Sequence, residues 1–350
     1  MRIRTSVFSL ALFLAVPLYA RDSTDIVIMK NGDHLTGEIK GLDAGVLYVS
    51  MSYILGTSSL DWSKVARLKS TQLFIVKTQD GSVYKGMLNT AESEGVRPIK
   101  IEVLETPEKQ TAIDRGQIVE MAETSDKFWQ RFNGELNFGT TYSKGNQTVQ
   151  YTLSSDVEYL RPRWSASTAW SSNLSTSSGV NASTRNEITP VARHLLPWNN
   201  WYYGGLGDFL QSSVQGIQLQ TSLGAGIGRY LKNTNRATVS VLGGFAWQNT
   251  EYSQSTLSGT QDLAAALIAA EVKLFRFNKT NLDFAGVLFP VLSQPGRVKF
   301  NMNTTYYIKI TGDLSWNISF YGNWDNQPPP HFAGSNYGTS SGLSWTFGMK

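Results

Sequence analysis

From residue 131 onward the sequence alternates between apolar and polar side chains, and this period of two constrains the fold more than any other feature. Phe132, Gly134, Leu136, Phe138, Thr140 and Tyr142 alternate with Asn133, Glu135, Asn137 and Gly139. Val298, Phe300, Met302, Thr304, Tyr306 and Ile308 alternate with Arg297, Lys299, Asn301 and Asn303, and Leu314–Trp324 repeats the pattern. A strand sends successive side chains to opposite faces, so each segment has one greasy, aromatic face and one polar face. The longest apolar stretch here, Leu263–Ala270, is eight residues, too short for a membrane-spanning helix.

The amino terminus indicates where such a chain works. Arg2 and Arg4 precede an apolar run from Val7 to Val16, followed by Pro17-Leu18-Tyr19-Ala20. That is the layout of a secretory signal peptide over residues 1–20, with cleavage expected after Ala20. In an exported protein, strands that are apolar outside and polar inside predict a transmembrane β-barrel. About twelve segments are expected over residues 128–350, starting near 131, 147, 162, 182, 199, 218, 235, 262, 280, 296, 312 and 336. Tight joins such as Arg161-Pro162-Arg163, Leu196–Asn199 and Lys232–Asn235 alternate with longer ones such as Ser171–Ser183, Gln248–Gln261 and Asp325–Asn336. Short periplasmic turns and longer outward loops fit a Gram-negative outer-membrane barrel. Trp164, Trp198, Trp201 and Tyr230 near the tight turns, with Trp170, Trp247 and Trp324 near the long loops, predict two interfacial girdles. A soluble sandwich would also alternate, but would turn its apolar face inward.

The chain changes character near Lys127. Residues 1–130 hold 15 Lys/Arg and 16 Asp/Glu; residues 131–350, a longer stretch, hold 16 and 11 and carry eight of the ten Trp. The expected division is therefore a water-exposed periplasmic β domain over 21–127 before the barrel. That domain contains a weak internal repeat. Asn31-Gly32-Asp33 and Gly37 match Asp80-Gly81-Ser82 and Gly86, and Leu60–Leu68 matches Ile113–Met121. Short strands with tight turns predict two small SH3- or Sm-like modules. No basic or aromatic cluster stands out, so docking or spacing is the favoured role, with a periplasmic protein or peptidoglycan as the partner classes. The net charge of +4 is too small to suggest nucleic acid.

Residues 131–348 resemble the salt-induced outer-membrane protein family, also known as domain of unknown function 481. The resemblance is carried by Phe132–Leu136, by Lys144–Thr148, and above all by Trp201–Gly205 through Leu223–Tyr230. It implies a Gram-negative outer-membrane barrel, inserted by the barrel-assembly machinery and surrounded by lipid, and it supplies no catalytic residues. Outer-membrane barrels commonly finish on an aromatic residue. Here Phe347 is followed by Gly348-Met349-Lys350, so Trp345 and Phe347 are expected to serve as the assembly signal despite the tail.

The search for chemistry returns little. With no Cys, thiol catalysis, disulfides and cysteine-ligated zinc are excluded. His34, His194 and His331 lie in separate contexts, so no metal or other cofactor is expected. Gly224, Gly226 and Gly228 fall at alternate strand positions rather than in a nucleotide loop. Gly338–Gly342 has nucleophile-elbow spacing without the helix that motif needs. More informative is the inward face. By strand parity it carries Glu135, Asp156, Glu158, Glu187, Asp208, Glu271 and Asp283, opposed by Arg163, Arg185, Arg193, Lys273, Arg297, Lys299 and Lys309. A selective pore would be expected to carry an excess of one sign. The expectation is a narrow, charge-paired lumen in a non-enzymatic protein of envelope integrity or anchoring. A gated small-solute channel is the alternative, with a lipid-modifying enzyme behind it.

Overall fold

Two equivalent turns organise the first part of the chain. In the computed structural model Gly32 and Gly81 both adopt left-handed backbone, with φ of 91° and 84°. Five residues later Gly37 and Gly86 each pass so close to a neighbouring strand that a Cβ would strike the carbonyl of Ser50 or of Leu104. Only glycine satisfies both demands. The structure describes residues 24–54, 56–90, 99–106, 109–123, 132–143, 148–177, 179–252, 260–276, 280–311, 313–328 and 333–347. The signal-peptide segment, the boundary near Lys127, His331 and the tail Gly348–Lys350 lie outside them.

The first sheet has nine strands: β1 (Asp25–Met29), β2 (His34–Asp43), β3 (Val46–Ser50), β4 (Thr57–Asp61), β5 (Val65–Thr78), β6 (Val83–Thr90), β7 (Lys100–Thr106), β8 (Lys109–Asp114) and β9 (Ile118–Glu123). The order is β4-β3-β2-β1-β5-β6-β7-β8, with β9 pairing β2 and β5. The repeat is plain. Each half makes a meander of four strands, then a 3₁₀ turn (Trp62–Lys64 or Arg115–Gln117), then a closing strand. Asp61 and Asp114 cap these turns identically, accepting from Ser63 N and Gly116 N at 2.9 Å. The halves share β5: its first part closes the first half against β1, and its second part pairs β6 and β9. They also share one core, in which Ile39, Leu42, Val49, Phe74, Ile101 and Met121 have no exposed surface.

A fragment of residues 21–125 is therefore expected to fold without detergent and to melt cooperatively by circular dichroism. Phe74→Ala should lower its stability by about 3–5 kcal/mol. A fragment that stays unfolded unless detergent is present would show that the sheet depends on the barrel.

The second sheet is a closed antiparallel barrel of twelve strands. They are β10 (Phe132–Ser143), β11 (Thr148–Leu160), β12 (Trp164–Ser177), β13 (Val180–Leu195), β14 (Trp201–Ser212), β15 (Ile217–Thr234), β16 (Ala237–Tyr252), β17 (Gln261–Arg276), β18 (Thr280–Pro290), β19 (Val298–Thr311), β20 (Leu314–Asp325) and β21 (Ser335–Phe347). Each begins within two residues of the expected position. The ring closes through β10 and β21, paired from Gly134–Phe347 to Gly139–Gly342. The outer face is apolar as expected, with Phe138, Tyr203, Phe245, Ile268, Tyr337 and Trp345 all at least half exposed.

Three details differ from the sequence reading. The expected long join Ser171–Ser183 is mostly strand, because β12 and β13 continue their pairing to Ser177–Val180. Tyr230 turns into the lumen beside Tyr202, ring centroids 5.1 Å apart, and is not a girdle residue. Trp170 sits mid-strand opposite Ile188, away from either rim.

The first sheet lies across the short-turn end of the barrel. Asn200, between β13 and β14, donates to Gln79 O at 2.6 Å, and Asn235, between β15 and β16, donates to Ile118 O at 2.7 Å. Part-way around the ring, Lys309 of β19 reaches Ser59 Oγ at 2.9 Å. The sheet thus touches well-separated points of the rim and covers the mouth.

Candidate functional site: the barrel lumen

Inward side chains follow from strand parity, and the barrel brings residues far apart in sequence face to face. Near the long-loop end three hydrogen bonds cross the lumen. Arg185 of β13 donates to Asn323 of β20 at 2.9 Å, Asn301 of β19 donates to Asp208 of β14 at 3.1 Å, and Asn336 of β21 donates to Ser212 of β14 at 3.1 Å. The Arg185 guanidinium also lies 4.6 Å over the Tyr321 ring and 2.8 Å from Glu187. Arg297 grips Asp325 with two bonds, at 3.1 and 2.6 Å, while Lys299 donates to Gln220 and Gln248. Arg297 is 2% exposed and Asp208 4%. Buried charge is tolerated only when it is paired and hydrogen-bonded; Arg297 meets both conditions, whereas Asp208 keeps one carboxylate oxygen without a partner among the described residues. The space left among Lys299, Gln220, Gln248, Asn301 and Asn323 is about 30 Å³. That admits no more than a water or two.

Farther in, one sector of the wall is apolar. Tyr202, Leu242, Ala246, Ala265, Leu267 and Phe289 form a buried cluster inside the barrel. Gly224 and Gly228 make room for it, since a Cβ at either would collide with Leu267 or with the Tyr202 ring. The glycines of β15 therefore line the lumen, as their spacing predicts, and the space they leave is filled by side chains.

Toward the short turns lies the densest group of charges. Lys273 is held among Asp283, Glu271, Glu158 and Asp156. Arg193 pairs with Glu271 and stands 5.6 Å from the Tyr202 ring, and Tyr307 donates to Glu135 at 2.5 Å. The first sheet adds a further pair at this mouth: Lys77 of β5 bonds Glu120 of β9 at 2.9 Å. Burial opposes the charge on Lys77, yet Glu120 and the facing Glu158 hold its pKa above the ordinary value. The charges of the lumen thus continue into the cover.

Of the fourteen residues expected in the lumen, Arg163 departs. It sits in the turn between β11 and β12 and lines a cleft with Trp164 and His194, on the outside of the wall. Lys309 is shared with the first sheet. The sequence reading missed Asp325, the bidentate partner of Arg297, and the uncharged partners Gln220, Gln248, Asn301, Asn323 and Tyr307. Among the described residues no cluster of three metal-ligating side chains occurs. Gly338–Gly342 lies within β21 and forms no turn.

Residues 136–347 match the family described as "Protein of unknown function, DUF481". The chain belongs to the DUF481 family. The DUF481 match runs from Leu136 of β10 to the last residue of β21, so the closing strand and the lumen network apart from Glu135 lie within it, and the nine-stranded sheet lies outside it. No curated protein matches the chain. Among solved structures it is similar to the NanC porin, at 10% identity and a TM-score of 0.38, covering 61% of this chain and 99% of that one. It is also similar to the translocator domain of the autotransporter NalP from Neisseria meningitidis, at 14% identity and a TM-score of 0.31, covering 62% and 87%. The outer membrane protease OmpT from Escherichia coli gives 10% identity and a TM-score of 0.22, covering 62% and 96%.

Proposed function

We propose that this DUF481 protein is a non-enzymatic outer-membrane barrel of the Gram-negative envelope, shut by its own side chains, that anchors its nine-stranded sheet at the periplasmic surface. The observation that carries the reading is the set of bonds joining opposite walls of the lumen, Arg185–Asn323, Asn301–Asp208 and Asn336–Ser212. The closed ring and its apolar, aromatic exterior support insertion in lipid, where every backbone group must be paired. Short turns face the periplasm in such barrels, which supports a periplasmic position for the sheet. Its role is then mechanical: a folded module held at the membrane, contributing to envelope integrity and open to a periplasmic protein or peptidoglycan partner.

Purified full-length protein in a planar bilayer is expected to give a flat current trace. Discrete conductance steps would overturn the closed-lumen reading in favour of a gated solute channel.

A further inference from the structure

Where the turn between β11 and β12 meets β6, the barrel wall and the first sheet border an open cleft of about 630 Å³. Arg161 and Arg163 come from the turn, Trp164 opens β12, His194 lies opposite it on β13, and Tyr84 and Lys85 come from β6. Trp164 and His194 are outward by strand parity, with ring centroids 4.3 Å apart, and Trp164 is 56% exposed. The lining holds three basic side chains, Lys85, Arg161 and Arg163, and no carboxylate. Arg161 is steered by Tyr159, whose hydroxyl accepts from its Nε at 3.1 Å. Arg163 Nη1 and His194 Nδ1 are buried without a hydrogen-bond partner among the described residues. A guanidinium N–H can only donate, and no described residue supplies the acceptor for this one.

We propose that this cleft binds the phosphate of an anionic phospholipid in the leaflet facing the short turns. The inference rests on the reading that the barrel spans the outer membrane. Arginines present a fork that matches phosphate oxygens, and basic pockets at the level of the headgroups select anionic lipids. Free phosphate shares that chemistry, but the position favours a lipid. The cleft opens on the outer wall at the rim, and exposed Trp164 belongs at the interface, where acyl chains run down past Ala166 and Ala192. A bound lipid would touch β6 and the barrel together, so it would join the sheet to the wall.

The test uses the full chain in nanodiscs of phosphatidylcholine with a minor fraction of phosphatidylglycerol, extracted into mild detergent and read by native mass spectrometry. The parent is expected to carry one phosphatidylglycerol. Combined Lys85→Gln, Arg161→Gln and Arg163→Gln should lower that occupancy at least tenfold, and Lys85→Gln alone, at an exposed position of β6, should lower it measurably. Excess inorganic phosphate should leave the parent's lipid in place. Equal occupancy in parent and triple variant overturns the site, and displacement by inorganic phosphate overturns the lipid as its ligand. Heat-modifiable gel mobility reports the folded barrel in each sample. A parent that fails to enter nanodiscs refutes the membrane reading itself, whereas a parent that enters but keeps no phosphatidylglycerol refutes only the site.

Discussion

Replacing Trp345 and Phe347 together with Ser is expected to remove the folded barrel from the outer membrane. Both rings lie on the outward face of β21, 5.8 Å apart, and Phe347 packs where Gly134 of β10 leaves space. They cover the junction that closes the ring, at Gly134–Phe347 and Leu136–Trp345. Each large ring contributes about 1.5–3 kcal/mol when it is withdrawn from water. If the junction opens, the freed backbone groups cost several kcal/mol each in lipid. Deleting Gly348–Lys350, beyond the paired residues, is expected to be tolerated. Gel mobility of outer-membrane fractions reads both outcomes, with the double variant degraded in the periplasm. Normal levels of that variant would mean that Trp345 and Phe347 are not the assembly signal.

The second large effect is expected inside the lumen. Asp325→Ala leaves the guanidinium of Arg297, 2% exposed, without its carboxylate. Removing one member of a buried pair costs about 3–5 kcal/mol. The temperature at which the compact gel form is lost should fall clearly for Asp325→Ala. The combined variant Arg297→Met with Asp325→Leu should recover most of the loss, because no buried charge remains. A melt of Asp325→Ala that matches the parent would show water reaching Arg297, and with it an open lumen.

How much of this was legible in the sequence follows from what a period of two encodes. Parity assigns a face to every residue in a strand, so the twelve strands and their apolar exterior could be read directly. Parity says nothing about which inward residue meets which across a ring of twelve strands. Arg185 finding Asn323, and Lys299 finding Gln220 and Gln248, are products of closure. An inventory restricted to charges passes over those amides, although their parity marks them as inward. The segment Ser171–Ser183 misled for a different reason. Small polar residues signal a loop by composition, but they are also what a crowded lumen admits, and here they pair as strand. In Trp201-Tyr202-Tyr203 an aromatic stands on both faces, so nothing local announced that Tyr202 would fill the interior. Arg163 was assigned inward by extending parity past the end of β12 into a turn, where alternation no longer applies.

The repeat in the first sheet was visible in Asp61 and Asp114, and in two pairs of glycines five residues apart, because caps and left-handed turns restrict residue type strongly. Its seat on the barrel was not visible. Asn200 and Asn235 look like ordinary turn residues until the carbonyls of Gln79 and Ile118 are brought against them.

The junction of β10 with β21 ends at Gly139–Gly342, whereas β10 follows β11 all the way to Ser143–Thr148. Above that point the two strands diverge and leave a notch in the wall at the long-loop end. Amide protons of β21 that face the notch, from Gly338 to Ser341 on the β10 side, have no ladder partner among the described residues and should exchange with deuterium well before those of β15 or β16. The cylinder therefore has a preferred place to breathe, and unzipping under force or heat should start at the notch and run toward Phe347.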